Sequence, residues 1–230
     1  MPRLNVVCFP PAGGAASSFS ALRRAAGGDT AVTTVLLPGR EARIGEPCAT
    51  DLDRVVGTVA EELLPLLAGD DTPYVLLGHS MGGLLAYEAA LRLDDLGARR
   101  PLRVVVAGTA APRSAGWSAV ASRGPEDLMR LLGGVPQEVF DSPELLEIVT
   151  RALRADLRMI AGHRCSGGLL RAPLSVLHGS EDPLVGAEAV ADWADVAGAG
   201  ATVTELAGGH FFLDAHYPRL LADWHLEAAR

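Results

Sequence analysis

The sequence predicts an α/β fold: a mostly parallel sheet flanked by helices, with a helical insertion late in the chain. Three observations carry that expectation. Short runs rich in valine and leucine recur at residues 4–9, 32–37, 74–77, 102–107, 174–178 and 201–206, and several are apolar throughout, as strands covered on both faces must be. Amphipathic stretches separate most of them, and strand–helix alternation closes most simply as a doubly wound parallel sheet with right-handed crossovers. The rhythm breaks once. Between residues 108 and 174 no strand-like run occurs, only helical patterns at 125–132 and 143–163. Helices inserted there most simply cover the carboxyl ends of the strands. The expectation is therefore one domain over residues 1–230, with residues about 112–172 forming a lid.

Taken in order, the first run opens into the loop "PPAGGAASS" and the second into "PGREARIGEP". A helix over 51–67 starts at a capping Thr50 or Asp51 and puts Leu52, Val55, Val56, Val59, Leu63 and Leu66 at helical spacing; Pro65 is expected to bend or end it. The run "YVLL" passes directly into "GHSMG", and a helix over 84–96 follows, stopped by Gly97. A closing helix over 218–230 carries Pro218 in its first turn.

Composition limits the function classes. The chain has 230 residues, 49% of them hydrophobic, and a formal net charge of −8, enough for a sizeable core. Its basic residues are all arginines and scattered, so nucleic acid is not an expected partner. No apolar run reaches the ~20 residues that span a bilayer, and the amino terminus, Met1-Pro2-Arg3, runs straight into a strand without a signal-peptide layout. A cytoplasmic protein without membrane attachment is expected. Cys8, Cys48 and Cys165 fit neither a disulfide framework nor a metal-ligand spacing, so no metal is expected.

Chemistry concentrates around Ser80. In a parallel sheet, ligands meet the protein at the carboxyl ends of the strands. Ser80 stands at such an end, just before a helix, with Gly78 and Gly82 relieving the crowding of a sharp turn. That is the G-x-S-x-G nucleophile elbow; the plainer reading is a serine that caps the helix. A serine hydroxyl needs a base. Of six histidines, His79 lies in the elbow and points away from the hydroxyl, His163 lies in the inserted helices, His178 ends a strand, and His216 and His225 fall in or near the closing helix on its solvated face. His210 follows the strand over 201–206 through "AGGH" and is the expected base. The carboxylate that orients it is expected at Asp182, in "GSEDPLV", because Pro183 holds that residue extended; Glu181 is the fallback. The loop after the preceding strand, "GTAAPRS", has no acid. The oxyanion is assigned to the amides of Met81 and Ala12, since Pro10 and Pro11 have no N–H. A phosphate cradle at Gly13-Gly14 would need a G-x-G-x-x-G or a lysine, and neither is present. The order Ser80, Asp182, His210 is that of the α/β-hydrolase fold.

Five segments together, "VVCFPPAGGAASSF", "LLPGREARIGEP", "LLGHSMGGLLAYEAA", "GSEDPLV" and "GGHFFL", resemble the type II thioesterases that accompany polyketide and nonribosomal peptide synthases. The Pro-Gly-Arg-Glu stretch discriminates best; its plainer reading is a solvated loop stiffened by Pro38. The inserted stretch resembles the family's lid, including Gly133-Gly134 and the Pro143-Glu144 before the long helix. The resemblance implies Ser80, Asp182 and His210 as catalytic and Met81 and Ala12 as oxyanion amides. It implies hydrolysis of acyl groups from the phosphopantetheine arm of an acyl or peptidyl carrier protein, clearing stalled or misprimed chains, and turnover of small acyl thioesters. No cofactor is implied, because the phosphopantetheine belongs to the carrier. A monomer is expected, and a chain that starts at its first strand suggests a free-standing enzyme. Rival readings are a product-releasing thioesterase, a general carboxylesterase on oxoesters, and a scaffold that binds without hydrolysing. Two features depart from the family: Pro11 stands where a histidine is usual, and the lid is short around residues 112–124, with "AGHRCSGG" replacing an aromatic cluster. Arg113, Arg123, Arg130, Arg151, Arg154 and Arg158 in the lid are candidate carrier contacts.

Overall fold

Six strands define the architecture of the computed structural model, which describes residues 3–69, 71–114, 116–133 and 137–230. Met1 and Pro2 of the amino-terminal reading, and Ala115, Gly134, Val135 and Pro136 of the expected lid, lie outside the described residues, as does Asp70. The strands are β1 (Leu4–Phe9), β2 (Thr30–Thr34), β3 (Tyr74–His79), β4 (Arg103–Ala107), β5 (Leu174–Gly179) and β6 (Ala201–Leu206). They form one sheet in the order β2-β1-β3-β4-β5-β6, parallel at every pairing. The chain leaves β1 to one side for β2 and returns on the other for β3. This reversal is the switch point at which open α/β sheets bind ligands, and it sets the loops after β1 and β3 side by side.

The continuous apolar runs follow from two cores, one on each face. Val7, Phe9, Tyr74, Leu76, Val104, Val106, Leu174 and Val176 point to one face; Leu4, Val6, Cys8, Val75, Leu77, Val105, Ala107 and Leu177 point to the other, as the two-residue period requires. The first face is covered by α2 (Leu52–Ala68) and α3 (Met81–Asp95). The second packs against α9 (Leu213–Ala228) and the segment around α1 (Ser20–Ala25). Between β4 and β5 lie α4 (Gly116–Ala121), α5 (Pro125–Leu132), α6 (Gln137–Asp141) and α7 (Pro143–Gly162), with the first three packed on α7. A short α8 (Ala187–Ala191) follows β5. Among the described residues no helix is long and apolar enough to cross a membrane.

Several boundaries differ from the sequence reading, each for a local reason. The second strand is 30–34 rather than 32–37: it pairs with β1 as far as Cys8, beyond which Pro10 and Pro11 offer no donors. Pro65 does not end α2, which continues to Ala68. Glu61, whose carbonyl loses its partner to the proline, is on the exposed face, so water can satisfy it. Leu66 is 63% exposed and Leu67 is buried in its place. The last helix begins at Leu213, so Pro218 sits inside it on an exposed position rather than in its first turn. The lid pattern at 125–132 is α5 as expected; α4 and α6 are too short to carry a detectable period.

The elbow glycines are required by packing. A Cβ at Gly82 would lie 2.0 Å from the Phe9 carbonyl oxygen, and one at Gly78 would lie 2.1 Å from that of Gly82. Both obstacles are backbone, which cannot move aside. Gly82→Ala should therefore cost about 3 kcal/mol or more in chemical denaturation. By contrast, Gly57→Ala in α2, where a Cβ would meet nothing within 4 Å, should stabilise by about 0.5–1 kcal/mol. Equal effects at the two sites would refute the packing argument.

Candidate active site

Ser80 occupies the turn between β3 and α3 with φ 54 and ψ −123, a left-handed conformation that costs a non-glycine residue on the order of 1–3 kcal/mol. Three hydrogen bonds hold it there. Its N–H donates to the Ala107 carbonyl at 2.8 Å, and its carbonyl accepts the Gly83 N–H at 2.9 Å. The Thr109 hydroxyl donates to the same Ser80 carbonyl at 2.9 Å, and the buried Trp193 indole N–H donates to the Thr109 carbonyl at 2.9 Å. The Ser80 side chain does not cap α3, which removes the plainer reading of this serine. Its hydroxyl is left to the crevice.

His210 and Asp182 meet from the loops after β6 and β5. Nδ1 of His210 lies 2.8 Å from Oδ2 of Asp182, and the two side chains are 2% and 0% exposed. A carboxylate accepts, so Nδ1 carries the proton and Nε2 is left as the basic nitrogen. The other oxygen, Oδ1, accepts the N–H groups of Leu184 and Val185 at 2.9 and 3.3 Å, a tight turn around Pro183. Glu181 is exposed and contributes a backbone contact to Gly208. Behind His210 stands His79, whose Nε2 donates to the His210 carbonyl at 2.8 Å, the rings 5.1 Å apart. Burial, and then the charge of His210, push the His79 imidazole down to about 3. It is a neutral strut for the loop.

The structure brings Ser80 and His210 to the wall of one cavity of about 190 Å³. They are not hydrogen-bonded to each other among the described residues; such bonds are often long without substrate and tighten when it binds. Trp117, Val120, Leu128, Met129, Leu153 and Ile160 make the rest of the wall apolar, and the Trp117 N–H is taken by the Ala111 carbonyl at 3.0 Å. Ala12 also lines the cavity, and Met81 begins α3, where free N–H groups and the helix dipole favour negative charge. Neither amide has an acceptor among the described residues.

Two residues that the sequence reading did not place in the site hold the loop of Ala12. Arg40, in the Pro-Gly-Arg-Glu stretch, is 5% exposed, and Asp156 of α7 is 0% exposed. The buried state of Arg40 overturns the solvated-loop reading of that stretch. Its guanidinium meets both oxygens of Asp156, at 2.9 and 2.8 Å. Asp156 also accepts the Gly13 N–H at 2.7 Å, and Arg40 donates to the Gly14 carbonyl at 2.9 Å. Glu41 accepts the amides of Ala16 and Ser17, and Pro11, in place of a histidine, accepts the Gly14 N–H at 2.8 Å. Asp156 carried one signal, a carboxylate on the apolar stripe of α7 beside Leu153, Leu157 and Ile160.

The remaining histidines are engaged elsewhere. His163 lies 3.1 Å from buried Glu88, His216 meets the Ala207 carbonyl, His225 meets the Thr30 hydroxyl, and His178 is buried in the sheet. Three of the lid arginines are already partnered: Arg130 stacks on Phe140, Arg154 pairs with Glu147, and Arg151 donates to the Gly39 carbonyl. Among the described residues no three His, Cys, Asp or Glu side chains are grouped to hold a metal ion.

Comparison with known proteins places the chain among thioesterases. A model of the thioesterase domain matches residues 5–226. A probable cadicidin biosynthesis thioesterase of Streptomyces griseus is 36% identical over 217 residues, 93% of this chain and 59% of the relative; the chain thus spans about three fifths of that relative's length. Among solved structures, the RedJ thioesterase of the prodiginine pathway in Streptomyces coelicolor superposes with a TM-score of 0.82 at 33% identity, covering 98% of this chain and 86% of that one. BorB, a type II thioesterase from the borrelidin biosynthetic cluster, gives 0.79 at 31%, covering 98% and 92%. The fold is that of the α/β-hydrolases.

The neutral His79 makes stability depend on pH. Its folded value, about 3, lies below the ordinary 6.5, so between those values the unfolded chain binds a proton that the folded chain refuses. The contribution is complete above 6.5 and is lost as the pH falls toward 3. His79→Gln removes that loss. Between pH 7.5 and pH 5, the wild type should lose about 2 kcal/mol more than this variant in urea denaturation; parallel curves would show that His79 takes up a proton in the fold.

Proposed function

We propose that the chain, which belongs to the thioesterase family, hydrolyses acyl groups from the phosphopantetheine arm of an acyl or peptidyl carrier protein in polyketide or nonribosomal peptide biosynthesis. The observation that carries the reading is the dry His210–Asp182 pair, 2.8 Å apart, on the wall of the apolar cavity that also exposes Ser80. Ser80 Oγ attacks the thioester carbonyl as Nε2 of His210 takes its proton. The amides of Ala12 and Met81 hold the oxyanion of the tetrahedral intermediate. On its collapse the C–S bond breaks and His210 protonates the departing pantetheine sulfur. Water, deprotonated by the same nitrogen, then attacks the acyl-serine, and Ser80 regains its proton as the free acid leaves. Asp182 fixes the tautomer and stabilises the imidazolium. The enzyme needs no cofactor of its own in this scheme.

Residues about 112–172 serve as the lid over the acyl group. The small size of the cavity supports editing of short acyl groups over release of a full-length product. We place the enzyme in the cytoplasm as a monomer. An oxoesterase would use the same residues, and kinetics on matched substrates separate the two: acyl-carrier thioesters should be cleaved with higher kcat/KM than oxoesters of the same acyl group, and the reverse order would refute the thioesterase reading.

Ser80→Ala should lower kcat by a factor on the order of 10³ or more with the melting temperature retained, and should abolish fluorophosphonate labelling. Asp182→Asn should cost less than His210→Ala, because the acid orients while the base moves protons. Wild-type turnover by a folded Ser80→Ala would move the nucleophile elsewhere, and a greater loss in Glu181→Gln than in Asp182→Asn would move the acid.

A further inference from the structure

We propose that Arg40 and Asp156 are positioning residues: a buried charged clamp that sets the Ala12 amide for the oxyanion and makes α7 a fixed wall of the acyl site. The inference rests on the reading of Ser80 as nucleophile and of Ala12 as an oxyanion donor. The clamp grips adjacent residues of one loop. Asp156 takes the Gly13 N–H at 2.7 Å, and Arg40 gives a hydrogen bond to the Gly14 carbonyl at 2.9 Å. Gly13 follows Ala12 directly. Within the loop the Gly14 N–H closes a turn on the Pro11 carbonyl at 2.8 Å, but Pro10 and Pro11 cannot donate and the sheet ladder ends before them. Leu153 of α7 closes over the loop as well; a Cβ on Gly13 would lie 3.3 Å from its Cβ.

Stability does not explain the pair. A buried ion pair gains little over an apolar pair of the same volume, because both charges must be stripped of water. Arg40 Nε adds to that cost, being buried with no hydrogen-bond partner among the described residues. What a guanidinium–carboxylate fork offers, and a leucine or methionine does not, is direction. Here that direction is spent on a loop whose amide must face the developing oxyanion within a few tenths of an ångström. Arg151, one residue row back on α7, reaches the carbonyls of Gly39 and Ile44 at 3.4 and 3.5 Å. The helix is thereby tied to the Arg40 loop a second time.

The test separates positioning from stability. Asp156→Asn is nearly isosteric, and Arg40→Met combined with Asp156→Leu leaves no unpaired charge. Each is assayed on a small soluble acyl thioester and for binding of a trifluoromethyl ketone that adds to the serine and places an oxyanion in the hole. We expect kcat to fall about 10- to 100-fold with KM changed less than about threefold. Affinity for the ketone should fall by the same factor as kcat/KM. The paired apolar variant should melt no lower than Asp156→Asn. Arg40→Lys, which keeps the charge and loses the fork, should lie between wild type and Asp156→Asn. Wild-type kcat in the folded paired variant overturns the proposal. If that variant does not fold, wild-type kcat and ketone affinity in Asp156→Asn overturn it alone. Ser80→Ala is run beside them: an active Ser80→Ala defeats the reading of the site itself, whereas an inactive Ser80→Ala with a fully active Asp156→Asn defeats only the clamp.

Discussion

The charge of Arg40 is buried where only an equally buried carboxylate can meet it, and that carboxylate arrives on a helix 116 residues further along the chain. Removing either partner would strand the other in a dry interior, at a cost of about 3–5 kcal/mol. The loop after β2, the loop after β1 and the helix α7 are thus bound to one geometry. The inserted helices are not simply laid over a finished sheet. Their longest member completes the wall of the cavity with Leu153 and Ile160 and at the same time fixes the backbone beside Ala12.

The sheet supplies the opposite side of the site by topology. Because β1 and β3 are neighbours in space but not in sequence, their carboxyl-end loops lie together without any side chain being required for it. The elbow after β3 can then approach the loop after β1 so closely that a Cβ at Gly82 would collide with the carbonyls of Phe9 and Pro10. Strain at Ser80 is held in place by the Ala107 carbonyl, the Gly83 amide and the Thr109 hydroxyl. Thr109 in turn is fixed by Trp193, beyond β5. The turn at Ser80 is therefore over-determined from three neighbouring segments, which is what allows a left-handed serine to persist.

How much of this was legible in the sequence depended on the range of the signal. The strands were readable because both faces are buried, so every residue in a run such as 74–77 is apolar. Ser80, His210 and Asp182 were readable because each sits in a short loop whose neighbours, glycine or proline, constrain it locally. The end of β2 was not, since it is set by Pro10 and Pro11 just past the end of the adjacent strand rather than by its own residues. Pro65 and Pro218 misled for a related reason: an exposed carbonyl can turn to water, so a proline on the outer face of a helix does not stop it. Arg40 stood inside a quoted motif, yet its burial could not be inferred without its partner. The carboxylate of Asp156 on an apolar stripe was the signal, and it becomes meaningful only once the sheet puts α7 above the loop after β1. The role of His79 was also hidden, because its acceptor is a backbone carbonyl, which leaves no trace in the sequence.

The apolar wall of the cavity also decides what it can discriminate. Among the described residues the polar side chains on its surface are Ser80, His210 and Trp117, and the Trp117 N–H is already bonded. An acyl group with a hydroxyl or amide would surrender its hydrogen bonds to water on entering and find no replacement, a loss of about 1–3 kcal/mol for each group. An apolar acyl group surrenders nothing and gains roughly 0.8 kcal/mol per buried methylene. In the proposed reaction such a wall would select by exclusion, disfavouring polar acyl groups instead of recognising a feature of the chain. Such selection is coarse among apolar chains of similar length. In the proposed reaction the oxyanion would fall to the backbone amides of Met81 and Ala12, and the second of these sits in the loop that Arg40 and Asp156 hold.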